Sequence, residues 1–239
     1  HVRDEHDKRG VADLIKAHPR TFEGLGPLPD THVKIMRLEK SEGSKRDDIA
    51  EQIEMDPDFA NSLLRLANAF TDLFPRKVES LRQAVSFGGF QTIANQAMAL
   101  HIFRLLGEYK STSKLDLEAF WKHSVGTGFI ARSIGQRLKL DIELCFMAGL
   151  LHDAGKLILD RFFSDFFSHT LDLVHQKSLP SIRVEDEVLG VNHAHVGGYL
   201  AVSWNLPDAV TEAIVCHHDP SSARTFPKIA SVMHIANSI

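Results

Sequence analysis

The chain has 239 residues, 44% of them hydrophobic and 24% charged, enough to bury a sizeable core as one large or two small domains. Its formal net charge of −4 leaves no basic surplus to attract nucleic acid or an anionic membrane surface, so neither is expected as a partner. No run approaches the roughly 18 apolar residues of a membrane span, and no signal peptide is visible, so a cytoplasmic protein is expected.

The hydrophobic period is helical almost throughout, and short alternating runs bounded by turn residues are absent, which predicts an all-α, multi-helix bundle. Residues 1–21 read as an N-terminal extension and 22–110 as an N-terminal helical part. In that part, Asp56 is placed to cap a helix with Pro57 at its first position, and Phe59, Leu63, Leu64 and Leu66 follow on helical spacing. Ser80 with Gln83 reads as a capping box for SLRQAVSF, which Gly88-Gly89 ends before FQTIANQAMALHIFRLLG resumes. The polar stretch GEYKSTSKLD (107–116) marks a boundary, and residues 111–239 form a second helical part. There the pattern predicts helices from Leu117 to Leu138, from Asp141 to Ala154 with Gly155 as the stop, and from Ile158 to Gln176. Shorter ones follow over Ile182–Leu189, His193–Trp204, Pro207–His217 and from Pro227 onward. The chain opens on His1 and stops inside ASVMHIANSI without a capping signal, which leaves room for a receiver or sensor domain beside it without deciding whether one is there. Cys145 and Cys216 both sit in apolar helical patterns and read as reduced packing residues.

Histidine is the compositional oddity: its 14 residues outnumber Met, Trp, Tyr and Cys combined, and ten lie at or after His101. The sharpest local feature is LLHDAGKL (150–157), where His152 and Asp153 at a helix end can turn toward one point, with Lys156 close behind. Taken alone, that pair reads sooner as structural, with His152 at a favourable helix C-terminus and Asp153 bonded to it, so the other histidines decide. His123 lies among Phe120, Trp121, Val125 and Phe129, and without other context it reads as a hydrogen-bonded core residue. His193 and His195 stand two apart, so only one can face a given site, and Gly197-Gly198 favours the face of His193. His217 and His218 close a helix as a second end pair. Together these offer ligands for one or two divalent ions of the Mn, Fe, Ni or Zn kind, suited to phosphoester hydrolysis with Lys156 balancing substrate charge. The competing reading leaves every histidine as a core or surface residue with no metal. Motifs for zinc fingers, P-loops, Rossmann binding and serine nucleophile elbows are absent.

In their order, His123, then His152 to Lys156, then His193 in NHAHVGGYL, then His217-His218 resemble the HD superfamily of metal-dependent phosphohydrolases. Within it, GPLPDTHVKIMRL, IAEQIEMDPDFANSLLRLANAF, VESLRQAVSFGG and EVLGVNHAHVGGYLAVSWNLPDAVTEAI are similar to the HDOD domain, an output domain of bacterial signalling proteins, over roughly residues 22–239. The resemblance implies an all-α fold and a signalling role, often without catalysis, with signalling proteins or additional domains as partners. It implies that His123, His152 and Asp153 form a first metal site, and that His193, His217 and His218 form the second site of the related cyclic di-GMP phosphodiesterases. Asp153 would be the bridge and Lys156 the phosphate contact, the two catalytic residues if the domain is active. Two departures matter. Asn237 stands where the closing aspartate falls, which weakens the first site, and DPSSARTFP replaces the Gly-Tyr-Pro segment, so cyclic di-GMP hydrolysis is not expected. The leading expectation is a regulatory module with a retained or vestigial metal site, for which no metal is required. The alternative is an active phosphohydrolase acting on a nucleotide or other phosphoester.

Overall fold

A computed structural model describes residues 46–69, 77–89 and 110–239, together with positions 93, 96, 97 and 100. All secondary structure among the described residues is helical, as expected. The helices fall into two compact units, one within Pro27–Glu108 and one within Tyr109–Ile239. The extension at 1–21, the GPLPDTHVKIMRL leader, most of the FQTIANQAMALHIFRLLG segment, and His1, His6, His18, His32 and His101 lie outside the described residues.

The first unit contains α1 (Arg46–Glu54), α2 (Pro57–Ala69) and α3 (Leu81–Gly88). Asp56 caps α2 as its sequence predicts, accepting from the Phe59 backbone N–H at 3.0 Å. Ser80 caps α3 by accepting from Gln83 N–H, while the Gln83 side chain reaches back to Glu79 N–H at 2.9 Å, one residue beyond the usual reciprocal partner. α3 ends at Gly88 because Gly89 takes φ +88°, a conformation costly for residues with a Cβ. The core is apolar, with Ile53, Phe59, Leu63, Leu81 and Val85 buried together. Asn68 fastens the approach to α3 onto α2, donating to Val78 O and accepting from Val78 N–H, both at 2.9 Å.

The second unit runs α4 (Leu117–Arg137), α5 (Ile142–Leu151), α6 (Ala154–Phe162), α7 (Ser164–Lys177), α8 (Ser181–Leu189), α9 (His193–Ser203), α10 (Asp208–Cys216), a 3₁₀ turn (Pro220–Ser222) and α11 (Pro227–Asn237). Its centre is α5, capped by Asp141 and, past Glu143 in its first turn, apolar on every face, the pattern of an interior helix. Phe146, Met147, Leu150 and Leu151 are buried, each burial worth about 1.5–3 kcal/mol. α4, α10 and α11 pack on α5, while α6 packs on α9. The leading segment is tied down by buried Asp160 of α6, which accepts from Ser111 Oγ at 3.1 Å and from Ser113 N–H at 2.9 Å. Cys145 and Cys216 are buried and free, and burial together with nearby Asp141 pushes the Cys145 thiol up to about 12, leaving it protonated and inert.

Two expected boundaries are corrected. Gly155 does not stop a helix running from Asp141: α5 ends at Leu151, His152 and Asp153 form a turn, and Gly155 lies in the first turn of α6. The glycine answers to packing instead, since a Cβ there would stand 2.0 Å from the His193 carbonyl oxygen. The expected helix over Ile158–Gln176 is broken at Phe163 (φ −136°, ψ 38°), where neither glycine nor proline announces the break. Apolar residues fall on helical spacing on both sides of it, so the period runs on through the junction.

Candidate metal centre

Helix ends converge on one point. His152 closes α5, Asp153 precedes α6 with Lys156 in its first turn, His193 opens α9, His217 and His218 follow α10, and Asn237 is the last residue of α11. His123, from the body of α4, completes the ring. A helix end frees a side chain from the fixed angular step of the helix interior, so neighbours such as His152 and Asp153 can aim at one target. The ring centroids of His152 and His217 are 5.0 Å apart, close enough for a shared centre.

Two ligand groups result, His123–His152–Asp153 and His193–His217–His218, each with its donor atoms within 4.8 Å of one another. In the first, His123 Nε2 lies 3.2 Å from His152 Nε2, and Asn237 Oδ1 lies 2.9 Å and 3.1 Å from them. In the second, His193 Nε2 lies 3.3 Å from His217 Nε2 and 2.9 Å from His218 Nε2. Nitrogens that share a cation at about 2.0–2.1 Å stand about 3 Å apart. Asp153 sits between the groups, with Oδ2 3.5 Å from His152 Nε2 and Oδ1 3.1 Å from His193 Nε2. Lys156 Nζ donates to Oδ2 at 2.6 Å. Every sequence-predicted site residue is therefore brought together, including Asn237. His123 is not the core residue that its apolar neighbours suggest, because its side chain is 41% exposed.

The hydrogen bonds behind the rings decide what the front offers. His152 Nδ1–H donates to Gly149 O at 2.8 Å and His217 Nδ1–H donates to Ile214 O at 2.7 Å. A carbonyl oxygen can only accept, so each Nδ1 carries the proton and each Nε2 presents a lone pair to the centre. His193 Nδ1 donates to Glu185 Oε2 at 2.6 Å. Asp153 Oδ1 is buried without a hydrogen bond, despite the nearby His193 Nε2. Buried acceptors crowded without donors between them are costly, and a divalent cation satisfies them all at once. The donor set thus fits a metal.

The electrostatics favour unprotonated donors at every shifted ligand except His193. Burial lowers the pKa of His152 and, with His152 and His193 beside it, holds His217 well below the ordinary value. His218 is lowered to about 4, by burial and by His193. Burial works to raise Asp153, but His152, Lys156 and His193 outweigh it and keep the carboxylate well below its usual range. For His193 burial is outweighed by Glu185 and Asp153, which raise it.

The HDOD domain family profile matches residues 25–220. The chain belongs to the HDOD family. The family match stops short of α11, so Asn237 is contributed from outside it. This HDOD chain is 24% identical over 233 residues to a Treponema pallidum protein, covering 95% of the chain and 43% of that protein. It is 34% identical over 110 residues to Ribonuclease Y of Aquifex aeolicus, covering 46% of the chain and 15% of the enzyme. The chain thus spans less than half the length of either curated relative. The solved HDOD domain protein from Geobacter sulfurreducens shares the fold, with TM-score 0.76 and 24% identity over 93% of this chain and 76% of that one.

Two residues at the centre escape sequence reasoning. Glu185 on α8, 1% exposed, looks like one of several acids in SIRVEDEVL, though its spacing of four from buried Leu189 places it on the inward stripe. His234 on α11, which no motif singles out, donates from Nδ1 to the His217 carbonyl at 2.9 Å. His169, His175 and His195 are exposed and lie outside both ligand groups.

Proposed function

We propose that this HDOD domain is a metal-loaded regulatory module of a bacterial signalling protein, acting through contacts with other domains or signalling proteins and turning over little or no substrate. The observation that carries the metal part is the convergence of the His152 and His217 Nε2 lone pairs, with His123, His193 and His218, around the buried Asp153 carboxylate. His123, His152 and Asp153 with Asn237 would hold one ion, and His193, His217, His218 and Asp153 the other. Fe, Mn, Ni or Zn suits this nitrogen-rich set. A divalent ion, when bound, supplies a Lewis acid for a phosphoryl group. Lys156 balances negative charge beside Asp153, and Asp153 orients both sites. Asn237 supports the regulatory reading, since a neutral ligand stands where a carboxylate would tighten the first site. The net charge of −4 and the absence, among the described residues, of a helix able to cross a membrane support a cytoplasmic module without nucleic-acid or membrane partners.

A second reading, an active phosphohydrolase acting on a nucleotide or other phosphoester, is favoured by the partly exposed side of the centre. The side chains of His123 and Lys156 are 41% and 21% exposed there, which gives a phosphoester access. The similarity to Ribonuclease Y points the same way. Gly-Tyr-Pro is absent, so cyclic di-GMP is not the substrate expected for it.

The test is metal analysis of the purified chain, followed by a generic phosphodiester and a nucleotide panel with added Mn²⁺ or Fe²⁺. The regulatory reading expects at least one ion per chain and turnover indistinguishable from a metal-free control. Metal-dependent turnover abolished in Asp153→Ala overturns it in favour of the hydrolase, and a chain that takes up no ion overturns the metal centre itself.

A further inference from the structure

We propose that Glu185 is a positioning residue that makes the His193–His217–His218 pocket the tighter of the two ion sites, so that it loads first and the His123–His152–Asn237 side loads second. The proposal rests on the metal reading above and deepens it.

The argument comes from comparing what stands behind each buried ring. His152 and His217 are each backed by a neutral carbonyl three residues earlier, Gly149 O and Ile214 O. His193 alone is backed by a carboxylate: Glu185 Oε2 accepts from His193 Nδ1 at 2.6 Å and from the His193 backbone N–H at 2.8 Å. One oxygen thus fixes both the ring and the first residue of α9. Glu185 comes from a different helix and is 1% exposed, so its charge acts on the pocket with little solvent screening. A carboxylate behind an imidazole raises the basicity of the opposite nitrogen and locks the ring orientation, both of which favour a cation in front. That cation in turn compensates a buried charge that would otherwise be expensive.

The other site has the opposite bias. Its distinctive ligand is the neutral Asn237 Oδ1, and His123 is 41% exposed, where water weakens electrostatic attraction. Asp153 is shared but not evenly: Lys156 engages Oδ2, the oxygen on the His123–His152 side, at 2.6 Å, while Oδ1 lies 3.1 Å from His193 Nε2. The sites therefore differ by one buried carboxylate behind His193 and one neutral amide, Asn237, beside His123.

The test is a titration of Co²⁺ into the metal-free full chain, followed by calorimetry and visible absorption. Two resolved steps are expected in the parent protein. Glu185→Gln should weaken the tighter step by about 10–100-fold and leave the weaker one in place, while Glu185→Asp, which keeps the charge, should retain the order. Asn237→Asp should strengthen the weaker step alone, and it tests the order independently if Glu185→Gln folds poorly. A merely structural Glu185 would instead shift the thermal midpoint of the metal-free chain and move both steps together, which overturns the proposal. Two equivalent ions in the parent, or a tighter step indifferent to Glu185→Gln, also overturns it while leaving the metal centre standing. A parent chain that binds no Co²⁺ overturns the metal reading and this proposal with it.

Discussion

Burial keeps His152, His217 and His218 neutral near pH 7, so their lone pairs are available without a proton to displace. The same logic of a buried or backbone-bound polar group operates away from the centre at Glu212 on α10. Its carboxylate accepts from the backbone N–H groups of Arg224, Thr225 and Phe226 and so fixes the loop between the 3₁₀ turn and α11. Burial works to raise its pKa, but these bonds outweigh it and lower the value below the ordinary 4.5. A carboxyl group depressed on folding contributes stability that is present above its unfolded pKa and is lost as pH falls through the depressed folded value. Glu212→Gln should therefore unfold at a lower temperature than the parent at pH 7. The gap should narrow as pH is taken below about 4.5, measured by thermal melts at several pH values. A gap that stays constant through this window would show that the charge on Glu212 is irrelevant.

At the level of elements, the centre is held by close helix contact. The approach of α6 to α9 at Gly155 leaves no room for a methyl group against the His193 carbonyl. Gly155→Ala should cost about 1–3 kcal/mol in a denaturant melt, and it should weaken ion uptake because the carbonyl that must move belongs to a ligand residue. Full stability with full uptake would show that the contact is slack. Much of this layer was legible in advance. Asp56 and Ser80 announce their helices, the helix over Leu117–Arg137 was expected to within a residue at its far end, and five histidines and Asp153 were picked out by position at helix ends or by motif. What was not legible has a physical explanation. Gly155 looks the same in sequence whether it ends a helix or admits a neighbouring backbone. The break at Phe163 is hidden by continuous apolar spacing, and Glu185 is one acid among several until tertiary packing buries it.

For the whole molecule, the residues at the centre are gathered from most of the second unit, with His123 and Asn237 separated by 114 residues and His152 and Asn237 by 85. Such distant partners meet only after long loops have closed, late on the folding route. The site is thus expected to be absent from the folding transition state, whatever its strength in the native protein. Ligands that bind only the finished structure slow its escape and leave its formation untouched. A saturating ion, at about 100 times its dissociation constant, should therefore retard unfolding by about a hundredfold with no change in the refolding rate, as read from the two arms of a stopped-flow chevron with and without Zn²⁺. A faster refolding arm would mean that the ion assembles its own ligands. If the unfolding arm alone moves, the ion acts as a latch fitted to a closed door, and its protective value is measured in lifetime.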